Sequence, residues 1–163
     1  MLGLTVLVVE QDPDARARMA AWLEEESFAV AQCGGPLAET FACPVGVAAP
    51  CPLAETADLV VLGLPLASDT MQEGPPGWQV LCYYLDARKP VVAIADAGEF
   101  ANAPSDELLR VVPRPAVRAL VMDAVHSVLG LTEPRLVEEE TRVGDLAVVR
   151  RARAVERLLD ARR

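Results

Sequence analysis

The sequence predicts an α/β protein, a three-layer sandwich in which helices cover both faces of a five-stranded parallel sheet. Residues 57–65 (ADLVVLGLP) form an apolar run that ends in Gly63 and Pro65, which is typical of a strand buried on both faces. Five strand candidates alternate with helix candidates along the chain. Apolar residues make up 52% of the chain and aromatic residues only 4%, so Ala, Val and Leu must form the core.

The first unit of this pattern is a strand, a helix and a second strand. Residues 4–9 are an apolar run, and Asp12 and Pro13 directly after it suit the N-cap and the first position of a helix. Apolar residues recur at helical spacing as far as residue 26. A short apolar segment at 28–32 completes a βαβ unit, for which we expect a right-handed crossover.

The next segment, 33–56, has the least regular pattern. Its glycines and prolines predict mainly loop. The pentapeptide PLAET occurs twice, at 36–40 and 52–56, and we interpret each copy as one helical turn after a proline. A short helix at 37–42 is also predicted.

The middle of the chain contains the third and fourth strands, at 58–63 and 90–95. Pro65 and the Gly/Pro cluster before residue 78 predict a loop over 64–77. Apolar residues at helical spacing then predict a helix over 78–88.

The last strand–helix unit is predicted between residues 105 and 130. Ser105 suits the N-cap of a helix at 105–110, and a short strand follows at 111–112. A strongly amphipathic helix runs from 117 to Gly130, a residue that commonly ends helices.

The chain is expected to divide into an α/β domain, residues 1–131, and a C-terminal helical extension, residues 132–163. The extension is predicted because four apolar residues recur there at near-heptad spacing: Val148, Ala152, Val155 and Leu159.

The net charge of −9 argues against direct binding to nucleic acid or to an anionic membrane. Residues 150–163 carry six arginines and two acids, which we interpret as a solvated basic face; docking on an acidic surface is the alternative. The sequence shows neither a signal peptide nor a long apolar span, so we expect a cytoplasmic protein.

Four motifs in this order resemble the receiver domain of bacterial two-component response regulators, the CheY-like variety of the flavodoxin-like fold. The resemblance covers roughly residues 3–130. Its motifs are TVLVVEQDPDAR at 5–16, ADLVVLGLP at 57–65, PVVAIA at 90–95 and VPRP at 112–115.

In that family an aspartate at the end of the third strand accepts a phosphoryl group, and two acids after the first strand hold a magnesium ion. A Thr or Ser on the fourth strand and a Lys on the fifth contact the phosphoryl group. The resemblance implies that the matching residues here form a degenerate phosphorylation pocket. Its members are Glu10, Gln11, Asp12, Gly63, Ala95 and Arg114.

Side-chain chemistry predicts that this pocket is inactive. Gly63 has no carboxylate to form an acyl phosphate, and Gln11 and Ala95 lack the negative charge and the hydroxyl of their family counterparts. Arg114 retains a cation, and we expect it to pair with Glu10 or Asp12 and to take the place of the metal. We therefore predict no catalytic residues, no cofactor and no enzymatic activity.

Two acids just beyond strand ends, Asp69 and Asp96, are the only candidates to replace the missing aspartate. We interpret Asp96 as a turn residue that caps its own backbone. The long loop after Gly63 is a candidate cover for the pocket, and Met71 in it a candidate contact residue.

Three of the four cysteines, Cys33, Cys43 and Cys51, lie in the irregular segment between the second and third strands. No CxxC pair is present, so free thiols are the favoured interpretation. A zinc site with these three residues as ligands and a redox disulfide remain alternatives.

These observations favour a receiver-like module for protein–protein interaction that works without phosphorylation, in bacterial two-component signalling. Its partner is expected to be another protein or a second copy of the chain. One alternative is a metal or redox sensor that uses the cysteines of the 33–51 loop; another is a pseudo-receiver that binds a small molecule.

Overall fold

The computed structural model describes residues 3–36, 43–47, 49–66, 77–100 and 105–131, and the account below concerns these residues. The elements are β1 (Thr5–Val9), α1 (Pro13–Glu25), β2 (Ala29–Cys33), a 3-10 turn (Pro44–Val47), α2 (Pro52–Thr56), β3 (Leu59–Leu62), α3 (Gly77–Asp86), β4 (Val91–Ala95), α4 (Ala97–Phe100), β5 (Leu109–Pro113) and α5 (Arg118–Val128).

The five strands form one sheet in the order β2-β1-β3-β4-β5, and every pairing is parallel. The predicted fold class, an α/β sandwich with a five-stranded parallel sheet, is therefore confirmed. In the register, Val9 is opposite both Cys33 and Leu62, and Ala95 is opposite Pro113. The carboxyl ends of all five strands thus meet at one edge of the sheet.

Helices cover both faces of the sheet, as the apolar strands require. On one face α1 and α5 pack against alternate strand residues such as Val8 and Val61. On the other face α2 and α3 pack against the intervening residues, among them Leu62. Every residue of β3 is buried, which explains why its sequence is a continuous apolar run rather than an alternating pattern.

The N-terminus of α1 forms as predicted. The Asp12 side chain accepts a hydrogen bond from the Asp14 N–H at 3.0 Å, and Pro13 occupies the first helical position. The helical turn predicted at 52–56 is also confirmed, as α2.

The helix predicted over 105–110 is wrong. Residues 105–108 form a turn, in which the Asp106 carboxylate accepts a hydrogen bond from the Leu108 N–H at 2.8 Å. Leu109 then begins β5, which is longer than the predicted 111–112 because it pairs with β4 over five residues. The ladder hydrogen bonds and burial of Leu109 outweigh a weak local preference for helix.

Several predictions fall outside the described residues and stay predictions. They are the short helix at 37–42, most of the loop at 64–77 with Asp69 and Met71, and the whole extension at 132–163. Within the described part of the chain, no helix is long and apolar enough to cross a membrane.

Candidate functional site

The candidate site lies at the edge where the parallel strands end. Glu10 directly follows β1, Gly63 follows β3, Asp96 follows β4 and Arg114 follows β5. The carboxyl edge of a parallel sheet is where ligands bind in open α/β folds, because strand ends and loops leave a crevice there. The sheet order therefore brings together residues that are about fifty positions apart in the sequence.

Glu10 is the one buried charged residue among the described residues, with 5% of its surface exposed. Its carboxylate Oε1 accepts a hydrogen bond from the Asp12 N–H at 3.0 Å, and its backbone N–H donates to the Cys33 carbonyl at 3.1 Å. The Glu10 carbonyl accepts from Arg16 Nη1 at 2.6 Å. A buried carboxylate requires such partners because burial removes its hydration.

The Glu10 carboxylate lies directly over Gly63. A Cβ atom placed on Gly63 would overlap Glu10 Oε2 and would lie only 3.0 Å from Glu10 Cδ. The Gly63 N–H donates to the Val9 carbonyl at 2.7 Å, so the backbone is held at this close approach. Glu10 thus fills the space that a side chain at position 63 would need, and the glycine permits it.

Arg114 connects three neighbouring strands to β5. Its Nη2 donates to the carbonyl oxygens of Gly63 at 2.8 Å and of Ile94 at 3.2 Å. Its Nη1 lies 3.8 Å from Glu10 Oε2, and its Nε lies 3.8 Å from Asp96 Oδ1. The planar guanidinium can satisfy these acceptors together because its donors point in several fixed directions.

The remaining predicted pocket residues lie around this pair in different roles. Asp12, the alternative partner that we expected for Arg114, is exposed and instead caps α1. Gln11 is exposed. Ala95 is fully buried in the apolar cluster beneath α2 and α3. The structure therefore brings Glu10, Gly63 and Arg114 into direct contact.

Two acids have roles that the sequence interpretation did not assign. Asp96, interpreted as a self-capping turn residue, lies beside the Arg114 guanidinium. The Glu99 carboxylate accepts from the Asp96 N–H at 3.0 Å and from the Leu66 N–H at 2.8 Å, which ties the segment after β3 to the start of α4. In the sequence, an acid followed three residues later by a glutamate resembles a capping box, and this spacing could have indicated the contact between Asp96 and Glu99.

The three cysteines of the irregular segment pack against one apolar cluster. Cys51 is buried, Cys33 and Cys43 are partly buried, and all four cysteines of the chain are free thiols. Burial raises the pKa of Cys33, and the neighbouring thiols of Cys51 and Cys43 raise it further, against the lowering effect of the Gly35 N–H. Burial and the same three thiols also raise the pKa of Tyr84.

The donor set at the strand ends does not fit the magnesium ion that the receiver resemblance implies. Gly63 supplies no carboxylate, and the Glu10 carboxylate already faces the Asp12 N–H and the Arg114 guanidinium. A fixed cation at this position repels a second one. Across the described ranges, no cluster of three or more His, Cys, Asp or Glu side chains has an arrangement that could hold a metal ion.

Comparison with known proteins identifies the fold. No protein-family model and no curated protein sequence matches the chain. A response regulator receiver protein from Sinorhizobium medicae is similar in structure, with a TM-score of 0.57 and 19% identity over 81% of this chain and 98% of that one. The receiver domain of PhyR from Erythrobacter litoralis has a TM-score of 0.54 and 16% identity over 83% and 97%.

A response regulator from Desulfuromonas acetoxidans is also similar, with a TM-score of 0.51 and 19% identity over 80% of this chain and 99% of that one. About four fifths of this chain aligns with these structures, and this part has the receiver fold. At such identities the likeness concerns the fold, and the function has to be argued from the site.

Proposed function

We propose that this chain is a receiver-like signalling module that acts through protein–protein contact and does not undergo phosphorylation. The receiver fold makes a signalling role the natural starting point. The residues at the strand ends support the absence of phosphotransfer. They provide no free carboxylate at the end of β3 and no open cation site.

One observation carries the proposal: the Glu10 carboxylate lies over Gly63 and faces the Arg114 guanidinium. In receiver domains, the corresponding space holds the phosphoacceptor side chain next to a metal ion. Here an internal carboxylate and an internal cation occupy it, so the charges balance without a ligand. Such a pocket offers no carboxylate at the end of β3 to accept a phosphoryl group, which supports a module that phosphorylation does not switch.

Incubation with a small-molecule phosphodonor and Mg²⁺ is expected to leave the intact mass of the protein unchanged. Acetyl phosphate is a suitable donor, and a receiver domain that retains its aspartate at the end of the third strand serves as the positive control. A stable mass increase of one phosphoryl group, located on an aspartate such as Asp96, would contradict the proposal.

The contact surface that we assign to this module is the α5 stripe, defined as Val117, Leu120 and Leu131. These residues are 46–54% exposed, and Trp78 on α3, at 40%, is the other exposed large apolar residue among the described residues. Leu120 lies in the first turn of α5, Val117 directly precedes this helix, and Leu131 follows Gly130, whose positive φ ends it. Contact between two copies is favoured because an apolar stripe is complementary to itself.

Replacing Leu120 with glutamate is expected to shift the full-length chain from dimer to monomer. The substitution places a charge in the centre of the α5 stripe, and two such charges would face each other across a two-fold contact. Ala119→Glu is the matched control, since Ala119 is exposed one position earlier. Sedimentation velocity measures the result; a parent chain that is monomeric at all concentrations, or equal effects of both variants, would contradict it.

A further inference from the structure

The backbone ladder between β3 and β4 ends before these strands reach the candidate site. Its last residue pair is Leu62 and Ala93. Beyond this pair, the Arg114 guanidinium joins the two strands by donating to the carbonyl oxygens of Gly63 and Ile94, at 2.8 and 3.2 Å. A side chain from the end of β5 thus extends the connection between β3 and β4.

Glu99 on α4 makes a second connection between the same two parts of the chain. Its Oε1 accepts from the Leu66 N–H at 2.8 Å, and its Oε2 accepts from the Asp96 N–H at 3.0 Å. Leu66 lies in the segment that begins with Gly63, and Asp96 directly follows β4. A cation therefore binds two carbonyl oxygens and an anion binds two N–H groups of these neighbouring segments.

The segment between the two connections, residues 63–66, is held closely along its length. Leu64 is 2% exposed, and its Cδ2 would lie only 2.8 Å from a Cβ on Gly35. The Pro65 carbonyl overlaps the space that a Cβ on Gly77 would need. Because this segment is packed against its neighbours, a displacement at one of its ends is transmitted to the other.

The two connections also meet at Asp96. The Arg114 Nε lies 3.8 Å from Asp96 Oδ1, and the Asp96 N–H donates to Glu99. The contacts therefore run in a closed circuit, from Arg114 through residues 63–66 to Glu99 and back through Asp96.

We propose that Arg114 and Glu99 act together as a double bridge, a conformational device that opens and closes as one unit and fixes the position of residues 63–66. Because their contacts form a closed circuit, both bridges contribute to the same local opening equilibrium. The double bridge keeps Gly63 beneath the Glu10 carboxylate and so maintains the arrangement of the candidate site. The inference goes beyond the proposed interaction role and does not depend on it.

A change at Arg114 is expected to affect hydrogen bonds that Arg114 does not make. The Leu66 and Asp96 N–H groups donate to Glu99. Arg114→Ala should nevertheless speed their hydrogen exchange by about tenfold to a hundredfold, the range that corresponds to hydrogen bonds with a charged group. Amide exchange of the isotope-labelled full-length protein, followed residue by residue by NMR, measures both rates.

The reverse effect is expected from Glu99→Ala. The Gly63 N–H donates to the Val9 carbonyl at 2.7 Å. Its exchange should become faster by about tenfold, because residues 63–66 move as a unit once Glu99 no longer holds their far end.

Arg114→Lys is a milder variant of the first bridge. It keeps the positive charge but loses the planar fork that reaches two carbonyl oxygens. Exchange of the Leu66 and Asp96 N–H groups should therefore become faster, to a smaller extent than in Arg114→Ala.

Leu23→Ala is the matched control for global stability. Leu23 is fully buried in the apolar cluster of α1 and α5, so its truncation destabilises the whole domain and leaves the double bridge intact. The Val60 N–H, which donates to the Pro90 carbonyl at 3.0 Å on the central strand, should exchange faster in this variant. The Leu66 and Asp96 N–H groups should not.

Unchanged exchange of the Leu66 and Asp96 N–H groups in both Arg114 variants would overturn the proposal, because the two bridges would then open independently. Unchanged exchange of the Gly63 N–H in Glu99→Ala would do the same. Equal acceleration of all these groups in Leu23→Ala would also overturn it, since they would then exchange only through global unfolding.

Discussion

Replacing Arg114 with alanine is expected to lower the free energy of unfolding by about 3 kcal/mol. The substitution removes the cation that faces the buried Glu10 carboxylate at 3.8 Å. It also removes the donor to the Gly63 and Ile94 carbonyl oxygens. Loss of the half-exposed partner of a buried charge costs more than the pair contributes, because the Glu10 charge stays buried without compensation. Urea denaturation measures the change.

Arg118→Ala is the matched control for this experiment. Arg118 also makes two ion pairs, with Glu25 at 2.7 Å and Glu26 at 3.3 Å, but all three side chains are 40–58% exposed. Exposed pairs are screened by water, so its loss is expected to cost less than about 1 kcal/mol.

A second variant separates charge from packing. The double variant Arg114→Ala, Glu10→Ala also removes the buried charge. Its loss of unfolding free energy should be smaller than the sum of the losses in the two single variants. Equal losses for Arg114→Ala and Arg118→Ala would show that the strand-end pair contributes no more than a surface pair.

Gly63→Asp, which introduces the acid that receiver domains carry at the end of their third strand, is expected to destabilise the protein by about 2–3 kcal/mol and not to create a phosphoacceptor. The new Cβ would overlap the Glu10 carboxylate, and the new acid would add a second negative charge beside it. To relieve the overlap, Glu10 must leave its bonds to Asp12 and Arg114. Thermal unfolding and intact mass after treatment with a phosphodonor measure the two effects.

Gly63→Ala tests the steric overlap without the added charge, and it should lower the free energy of unfolding by about 1–2 kcal/mol. Gly98→Ala is the control, since a Cβ on Gly98 meets nothing within 4 Å. In a Glu10→Ala background the space over Gly63 is empty, so the cost of Gly63→Ala should nearly vanish. An unchanged cost in that background would show that Glu10 is not the group that excludes a side chain at position 63.

Much of the fold could be predicted from the sequence because the strands are continuous apolar runs. A segment such as 57–65 has to be buried on both faces, and repeated strand–helix units have few arrangements other than a parallel sheet. The error at 105–110 shows where local reasoning failed. Leu109 has no local signal for a strand, and its assignment to β5 depends on pairing with Val91 of β4.

The sequence predicted which residues lie at this edge of the sheet, and it left open whether Arg114 pairs with Glu10 or with Asp12. That Gly63 and Arg114 lie at the same edge follows from their positions directly after strands. That Glu10 is buried over Gly63, and that Asp96 rather than Asp12 lies beside Arg114, depends on distances across three strands.

The sequence by itself determined the sheet, the residues at its carboxyl edge and the absence of an acid directly after β3, because side-chain periodicity and residue identity are local properties. The tertiary structure alone decided that Glu10 lies over Gly63 and that Arg114 pairs with Glu10 rather than with Asp12. The physical reason is that burial and charge pairing depend on which strands are neighbours and in what register, and both are properties of the assembled sheet.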